Sequence, residues 1–245
     1  MKILLAPSES KRAGGENAFH LEQLLFEDLL SSRTQLLHHY SNLLQQRDLS
    51  KLSKMFGLKK EADITYHIKE LIHEPTMKAV ARYSGVAFEY LDYPSLSLSA
   101  QTYIDTHLLI FSNLFGIVRA NDHIPEYRLQ QGKAIGEIKP AQFYKPLLQP
   151  RLDHYLEGEE ILDLRAGFYD KYYKPSLPYT TLKFIKEGRV VSHWAKAYRG
   201  IVLRAIAKAE VTRLEAFMRL PIEGLTLYEI QTKKQHTEII YTITA

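Results

Sequence analysis

Short apolar runs set at irregular intervals constrain this chain most. Residues 2–6, 108–112, 161–164, 182–185 and 239–243 read as buried or half-buried strands. The stretches between them vary widely in length and carry helical patterns, which argues for a mixed α/β or α+β domain rather than a regular doubly wound one. Leu21, Leu24, Leu25, Leu29, Leu36, Leu37, Tyr40, Leu43 and Leu44 recur at helical spacing. They predict one long amphipathic helix over 20–47, or two joined near Ser31 and Ser32. Residues 48–56 and 59–73 read as two helices joined around Gly57, and 99–107 as a helix leading into the strand at 108. Residues 76–88 fit helix or strand, and 114–136 has a loop composition. Residues 182–185 and 189–193 flank a turn at Glu187 and Gly188, while 225–228 and 239–243 face one another across the polar residues 233–235 as a hairpin. Together these predict one α/β domain of mixed α+β character over 1–245, with a central mixed sheet surrounded by helices.

The 245 residues suffice to bury a core without covalent staples. With no cysteine, thiolate metal sites, iron–sulfur ligation and a cysteine nucleophile are excluded, in keeping with a reducing cytoplasm. Pro7 interrupts the N-terminal apolar run too early for a signal peptide, and no apolar run reaches membrane-spanning length. A cytoplasmic protein with no membrane partner is expected, and a monomer is favoured. A formal net charge of +4 permits nucleic-acid binding without implying it, so the distribution of charge carries the argument.

That distribution is uneven. From Gly188 to Ala209 the chain carries Arg189, Lys196, Arg199, Arg204 and Lys208 and no Asp or Glu. Wound as a helix from about residue 195, it sets Tyr198, Val202, Ala205, Ile206 and Ala209 on a packing side and Lys196, Arg199, Arg204 and Lys208 opposite. Lys196 and Arg199 fall in the first turns, where the helix dipole disfavours cations and an incoming phosphate would offset the conflict. Trp194 and Tyr198 adjoin these cations as aromatics do in base-stacking sites, although Trp194 is expected in the core.

A second polar cluster follows the buried strand at 108–112. Arg119, Asp122, Tyr127 and Arg128 occupy a strand exit, where α/β proteins mount their sites. The bland alternative is an Arg119–Asp122 ion pair over a packed Tyr127. The helix–Gly57–helix outline matches a helix-hairpin-helix, in which turn amides hold a phosphate and Lys54, Lys59 and Lys60 neutralise charge. The loop at 7–16 lacks the P-loop spacing. Glu70 and His73 have the spacing of a di-iron helix but no matching set, and His38 and His39 diverge, so no metal and no cofactor is expected.

Several of these residues also carry a family resemblance. Ser112, Leu114, Gly116, Arg119, Asp122, Tyr127, Arg128, Leu129 and Gly132 resemble the Leu-Ser-Gly-Leu-Tyr-Gly, Arg-Pro-Leu-Asp and Pro-Tyr-Arg-Leu-Glu-Met-Gly signature of the YaaA peroxide stress proteins, the UPF0246 family. Leu4 to Pro7 looks like the family's Ile-Ser-Pro-Ala-Lys opening, and Arg82 to Phe88 like its Tyr-x-Gly-Asp-Val-Tyr segment. Ala195 to Gly200 is similar to its Ala-Lys-Lys-Ala-Arg-Gly. The chain is divergent: Asn113, Ala120, Glu126 and Gln130 replace motif residues. Residues 163–169 lack the Ser and Glu of the family's Asn-Leu-Ala-Ser-x-Glu-Tyr, and the early Lys is displaced to Lys11.

The resemblance implies a cytoplasmic protein of the peroxide response that limits iron and damage to DNA. It also implies a positively charged cleft and a helix-hairpin-helix that bind duplex or branched DNA irrespective of sequence. The expected phosphate-binding residues are Arg119, Arg128, Lys196 and Arg199 with Tyr127 beside them, and Lys54, Gly57 and Lys59 at the hairpin. The alternative is an enzyme on a nucleotide or nucleic acid, with the same cations holding phosphates and Tyr127, Asp122 or Ser8 supplying acid–base or nucleophilic groups. It lacks a Ser-His-Asp, zinc or nucleotide fingerprint.

Overall fold

A computed structural model describes residues 1–191 and 193–244. In chain order the strands are β1 (Lys2–Leu5), β2 (Thr76–Lys78), β3 (Leu108–Ser112), β4 (Gly116–Arg119), β5 (His123–Pro125), β6 (Ile161–Asp163), β7 (Tyr179–Lys186), β8 (Arg189–Val190), β9 (Leu225–Lys233) and β10 (His236–Ile243). The helices are α1 (Leu30–Gln46), α2 (Leu49–Phe56), α3 (Glu61–Tyr66), α4 (Ala79–Arg82), α5 (Val86–Leu91), α6 (Leu98–His107), α7 (Pro140–Tyr155), α8 (His193–Lys208) and α9 (Leu214–Arg219).

The main sheet runs β4-β3-β1-β6-β7-β10-β9, with β8 folded back on β7. Its centre is parallel, and the pairs β3–β4, β7–β8 and β9–β10 are antiparallel. This is the expected mixed sheet surrounded by helices. β3 and β6 are buried at every position, as parallel strands covered on both faces must be. From β1 the chain crosses to β3 on one side, then returns past β1 to lay β6 and β7 on the other. That reversal opens a crevice between the carboxyl ends of β1 and β6, the place where such sheets hold ligands.

Local expectations fail where tertiary bonds claim the backbone. The helix predicted over 20–47 begins only at Leu30, preceded by single 3-10 turns. The Leu25 N–H instead donates to Asp122 at 2.9 Å, and the Leu25 and Phe26 carbonyls accept from the buried Arg33 guanidinium. Of the helix predicted over 59–73, only Glu61–Tyr66 forms, and Tyr66 and Lys69 are both drawn to the buried Glu126 carboxylate. The loop-like 114–136 contains β4 and β5, and 76–88 divides into β2 and two short helices. The strand expected over 189–193 is the two-residue β8, since α8 already starts at His193; Ser192 lies outside the described residues.

Two buried arginines fasten the loops to this frame. Arg33 donates to the carbonyls of Leu25, Phe26, Phe115 and Ile117, and Arg82 to those of Arg12, Gly14, Pro75 and Ile124. Each satisfies a buried guanidinium with backbone oxygen, which keeps the cost of burying the charge tolerable. Arg82 thereby ties down the segment after β1.

Candidate anion-binding site at the strand carboxyl ends

At the β1/β6 crevice lies a cavity of about 380 Å³. Residues Leu5 to Ser10 after β1, Gly85 to Phe88 opening α5, Leu164 and Ala166 after β6, Gln131, and Lys196 and Arg199 of α8 line it. Two glycines make the enclosure possible. A Cβ on Gly85 would overlap the Ser8 hydroxyl, and one on Gly200 would overlap the Ala87 carbonyl oxygen. The first lets the β1 loop lie on α5; the second lets α8 lie on α5. Tyr198, Val202, Leu203 and Ile206 anchor α8 in the core, so the other side of its first turns is turned to the cavity.

Among the described residues, Lys196 and Arg199 make no ion pair or side-chain hydrogen bond. Arg199 is half-buried, and burial lowers the pKa of its guanidinium. Asp163 opposes that shift, but its carboxylate is already gripped by Arg165 through bonds of 2.8 and 2.6 Å. Arg165 is also stacked on Phe111 and donates to the Tyr169 and Tyr173 carbonyls. The divergent Asp163-Leu164-Arg165 segment thus forms a closed internal pair. It leaves Arg199 an unneutralised cation at a cavity wall.

The other expected residues divide between this site and the rest of the molecule. Arg128 stands behind the β1 loop, donating to the Glu9 carbonyl at 3.2 Å, the Glu9 carboxylate at 3.3 Å and the Phe56 carbonyl at 3.0 Å. The second Glu9 oxygen accepts from the Gln131 N–H at 3.1 Å. Arg128 therefore shapes the cavity wall rather than facing the void. Tyr127 is buried, sharing hydroxyl bonds with Ser112 at 2.8 Å and Tyr83 at 3.0 Å, and burial raises its pKa to about 12.

Arg119 lies elsewhere. It pairs with Leu109 at the amino end of the parallel strands, away from Leu5 and Asp163, and lines a separate depression with His20, Asn121 and His123. Its guanidinium bonds Asp122 at 2.7 Å and the Gln23 carbonyl at 2.6 Å. The bland alternative for this pair describes its geometry. Arg119 and Arg199 thus lie at opposite ends of the sheet and do not line one cleft.

Lys54 and Lys59 are exposed on either side of the α2–α3 turn. Gly57 takes a φ of +67° there, and its N–H caps α2 by donating to the Ser53 carbonyl at 2.9 Å, as does that of Leu58 at 3.2 Å. Those two amides are occupied by the helix end. Lys54 lines a further basic depression with Lys51 and Lys133.

Sequence reasoning passed over Glu9, Gln131 and the central position of Lys11. The Lys11 ammonium sits 3.9 Å from the Tyr127 ring centre and donates to the Ser8 and Glu9 carbonyls at 3.1 and 3.2 Å. Burial first, then the charge of Arg128, lowers its pKa to about 7. The loop's polar composition was the available signal; its partners come from residues about 120 positions away. Trp194, expected in the core, is 50% exposed on the first turn of α8, next to the exposed β8. No group of three or more His, Asp or Glu among the described residues could hold a metal ion, and none of their helices is long and apolar enough to cross a membrane.

The fold and site define an α/β protein with a cavity at the switch point of a mixed sheet, lined on one side by Lys196 and Arg199. Comparison with known sequences supplies the family. The model of the peroxide stress protein YaaA family matches residues 1–231, and the chain belongs to that family. An uncharacterized protein of Campylobacter jejuni is 45% identical over 245 residues, 99% of each chain. A UPF0246 protein of Corynebacterium efficiens is 35% identical over 218 residues, covering 84% of this chain and 85% of that one. A UPF0246 protein of Streptomyces coelicolor is 29% identical over 217 residues, 84% of this chain and 82% of that one.

Proposed function

We propose that this protein serves the peroxide stress response in the cytoplasm, as a monomer that binds DNA phosphates irrespective of sequence and limits iron-dependent damage to the bound DNA. The observation that carries this reading is Arg199, a half-buried guanidinium with no ion pair among the described residues, set beside Lys196 at an open cavity. A buried charge is costly unless a counter-charge arrives, and phosphate supplies one with matching geometry. Lys54, Lys59 and Lys133 add exposed positive charge along the α2–α3 side, where they would neutralise further phosphates. An enzymatic reading draws no support from Tyr127 or Asp122, because the first is buried in a hydroxyl network and the second is held by Arg119.

Titration of a labelled duplex at several salt concentrations tests the reading. The logarithm of the affinity should fall linearly with the logarithm of salt, alike for unrelated sequences. Binding that is absent, or indifferent to salt, refutes it. The damage-limiting role predicts more peroxide-induced, iron-dependent strand breaks in cells that lack the protein.

A further inference from the structure

Lys196 and Arg199 sit inside a concavity, and that shape selects the ligand. The outside of a duplex is convex and carries its phosphates on the rim of each groove, so it meets exposed lysines readily. Arg199 is half-buried at the wall of a cavity that the β1 loop and the start of α5 also line. A cavity of about 380 Å³ lies in the range that takes one small ligand. Its walls differ in kind. Lys196 and Arg199 lie on the α8 side, Pro7, Val86 and Ala166 offer apolar surface, and Gln131 lines the same space beside Glu9, whose carboxylate is held by Arg128 and the Gln131 N–H. An anionic group attached to a flat ring with apolar faces and hydrogen-bonding edges matches that division.

We propose that the cavity receives a single nucleotide unit, with its phosphate on Lys196 and Arg199, its base against Pro7, Val86 and Ala166, and Gln131 at the base edge. The inference rests on the DNA reading only for the source of that unit, a strand that turns one nucleotide outward. Turning a paired base out costs a few kcal/mol, and an unpaired one costs least, so unpaired positions are favoured.

The experiment compares an intact duplex with the same duplex carrying one bulged 2-aminopurine, each titrated by anisotropy, with dAMP as competitor. The bulged duplex should bind about tenfold tighter or more, its 2-aminopurine fluorescence should rise on binding, and dAMP should compete. Val86 is 41% exposed, so Val86→Trp can fill the cavity mouth without disturbing the core; the ratio of the two affinities should then fall to about one, with thermal unfolding checking the fold. If both duplexes bind equally and dAMP does not compete, the cavity inference is overturned while the DNA reading stands. If neither duplex binds yet dAMP saturates the protein and Val86→Trp abolishes this, the cavity inference holds and the DNA reading fails. If nothing binds, both fall.

Discussion

Gly200 of α8 lies so close to the Ala87 carbonyl of α5 that a methyl group on Gly200 would overlap the oxygen. This contact positions Lys196 and Arg199 at the cavity, because Lys196 stands one turn and Arg199 one residue N-terminal to it on the same helix. Glycine in a helix interior costs about 1 kcal/mol relative to alanine, so its use here marks a packing need. Gly200→Ala should therefore lower stability by about 1–3 kcal/mol in urea denaturation despite its better helix propensity. A more stable variant would contradict the close approach.

Arg199 and Arg119 should respond in opposite ways. Arg199→Ala is expected to weaken DNA binding and to reduce the salt slope by about 1, with little change in stability. Arg119→Ala should leave the slope intact and cost roughly 1–3 kcal/mol in stability, because the buried Asp122 carboxylate loses its 2.7 Å partner. Salt titrations and urea melts of the two variants, run in parallel, check both halves.

The Asp163–Arg165 pair is buried on both sides. Arg165→Met leaves the carboxylate uncompensated and should destabilise by about 3–5 kcal/mol. Replacing both residues, as Asp163→Leu with Arg165→Met, should recover much of that loss. Chemical denaturation of the single and double variants measures the recovery, and a double variant no better than the single would show that the bonds of Arg165 to Tyr169 and Tyr173 carry the stability.

Lys11 predicts a pH dependence of defined sign. Its folded pKa of about 7 lies below the usual value of 10.5 that applies in the unfolded chain. Between these values the unfolded state binds more protons, so the contribution of Lys11 to stability rises with pH from about 7 upward, and below 7 the full penalty for a buried ammonium remains. The unfolding free energy of the native protein relative to Lys11→Met should thus be higher at pH 9 than at pH 6. A relative stability that falls over that range would place Lys11 in a different environment.

The legible parts of the fold were those set by local pattern. β1, β3, β6 and the β9–β10 hairpin follow from short apolar runs and turn residues, and the amphipathic α8 from the spacing of Tyr198, Val202 and Ile206. α7 was hidden by Pro146 and Pro150, which the helix tolerates on its exposed side while Tyr144, Leu148 and Leu152 are buried. The start of α1 and the end of α3 are not legible locally, because Asp122 and Glu126 claim Leu25 and Tyr66 from far along the chain while Arg33 draws back the carbonyls just before its own helix.

The same division runs through the site. That Lys196 and Arg199 stand unaccompanied by acids near the start of a helix is legible along the chain, because charge segregation and helical spacing are local properties. Which cations meet was a tertiary decision. β4 runs antiparallel to β3 and carries Arg119 to the amino end of the sheet, and Arg128 is turned onto Glu9. The crossovers from β1 to β3 and back to β6 open the crevice into which Arg199 faces, since only strand order places two carboxyl ends side by side with their connections diverging.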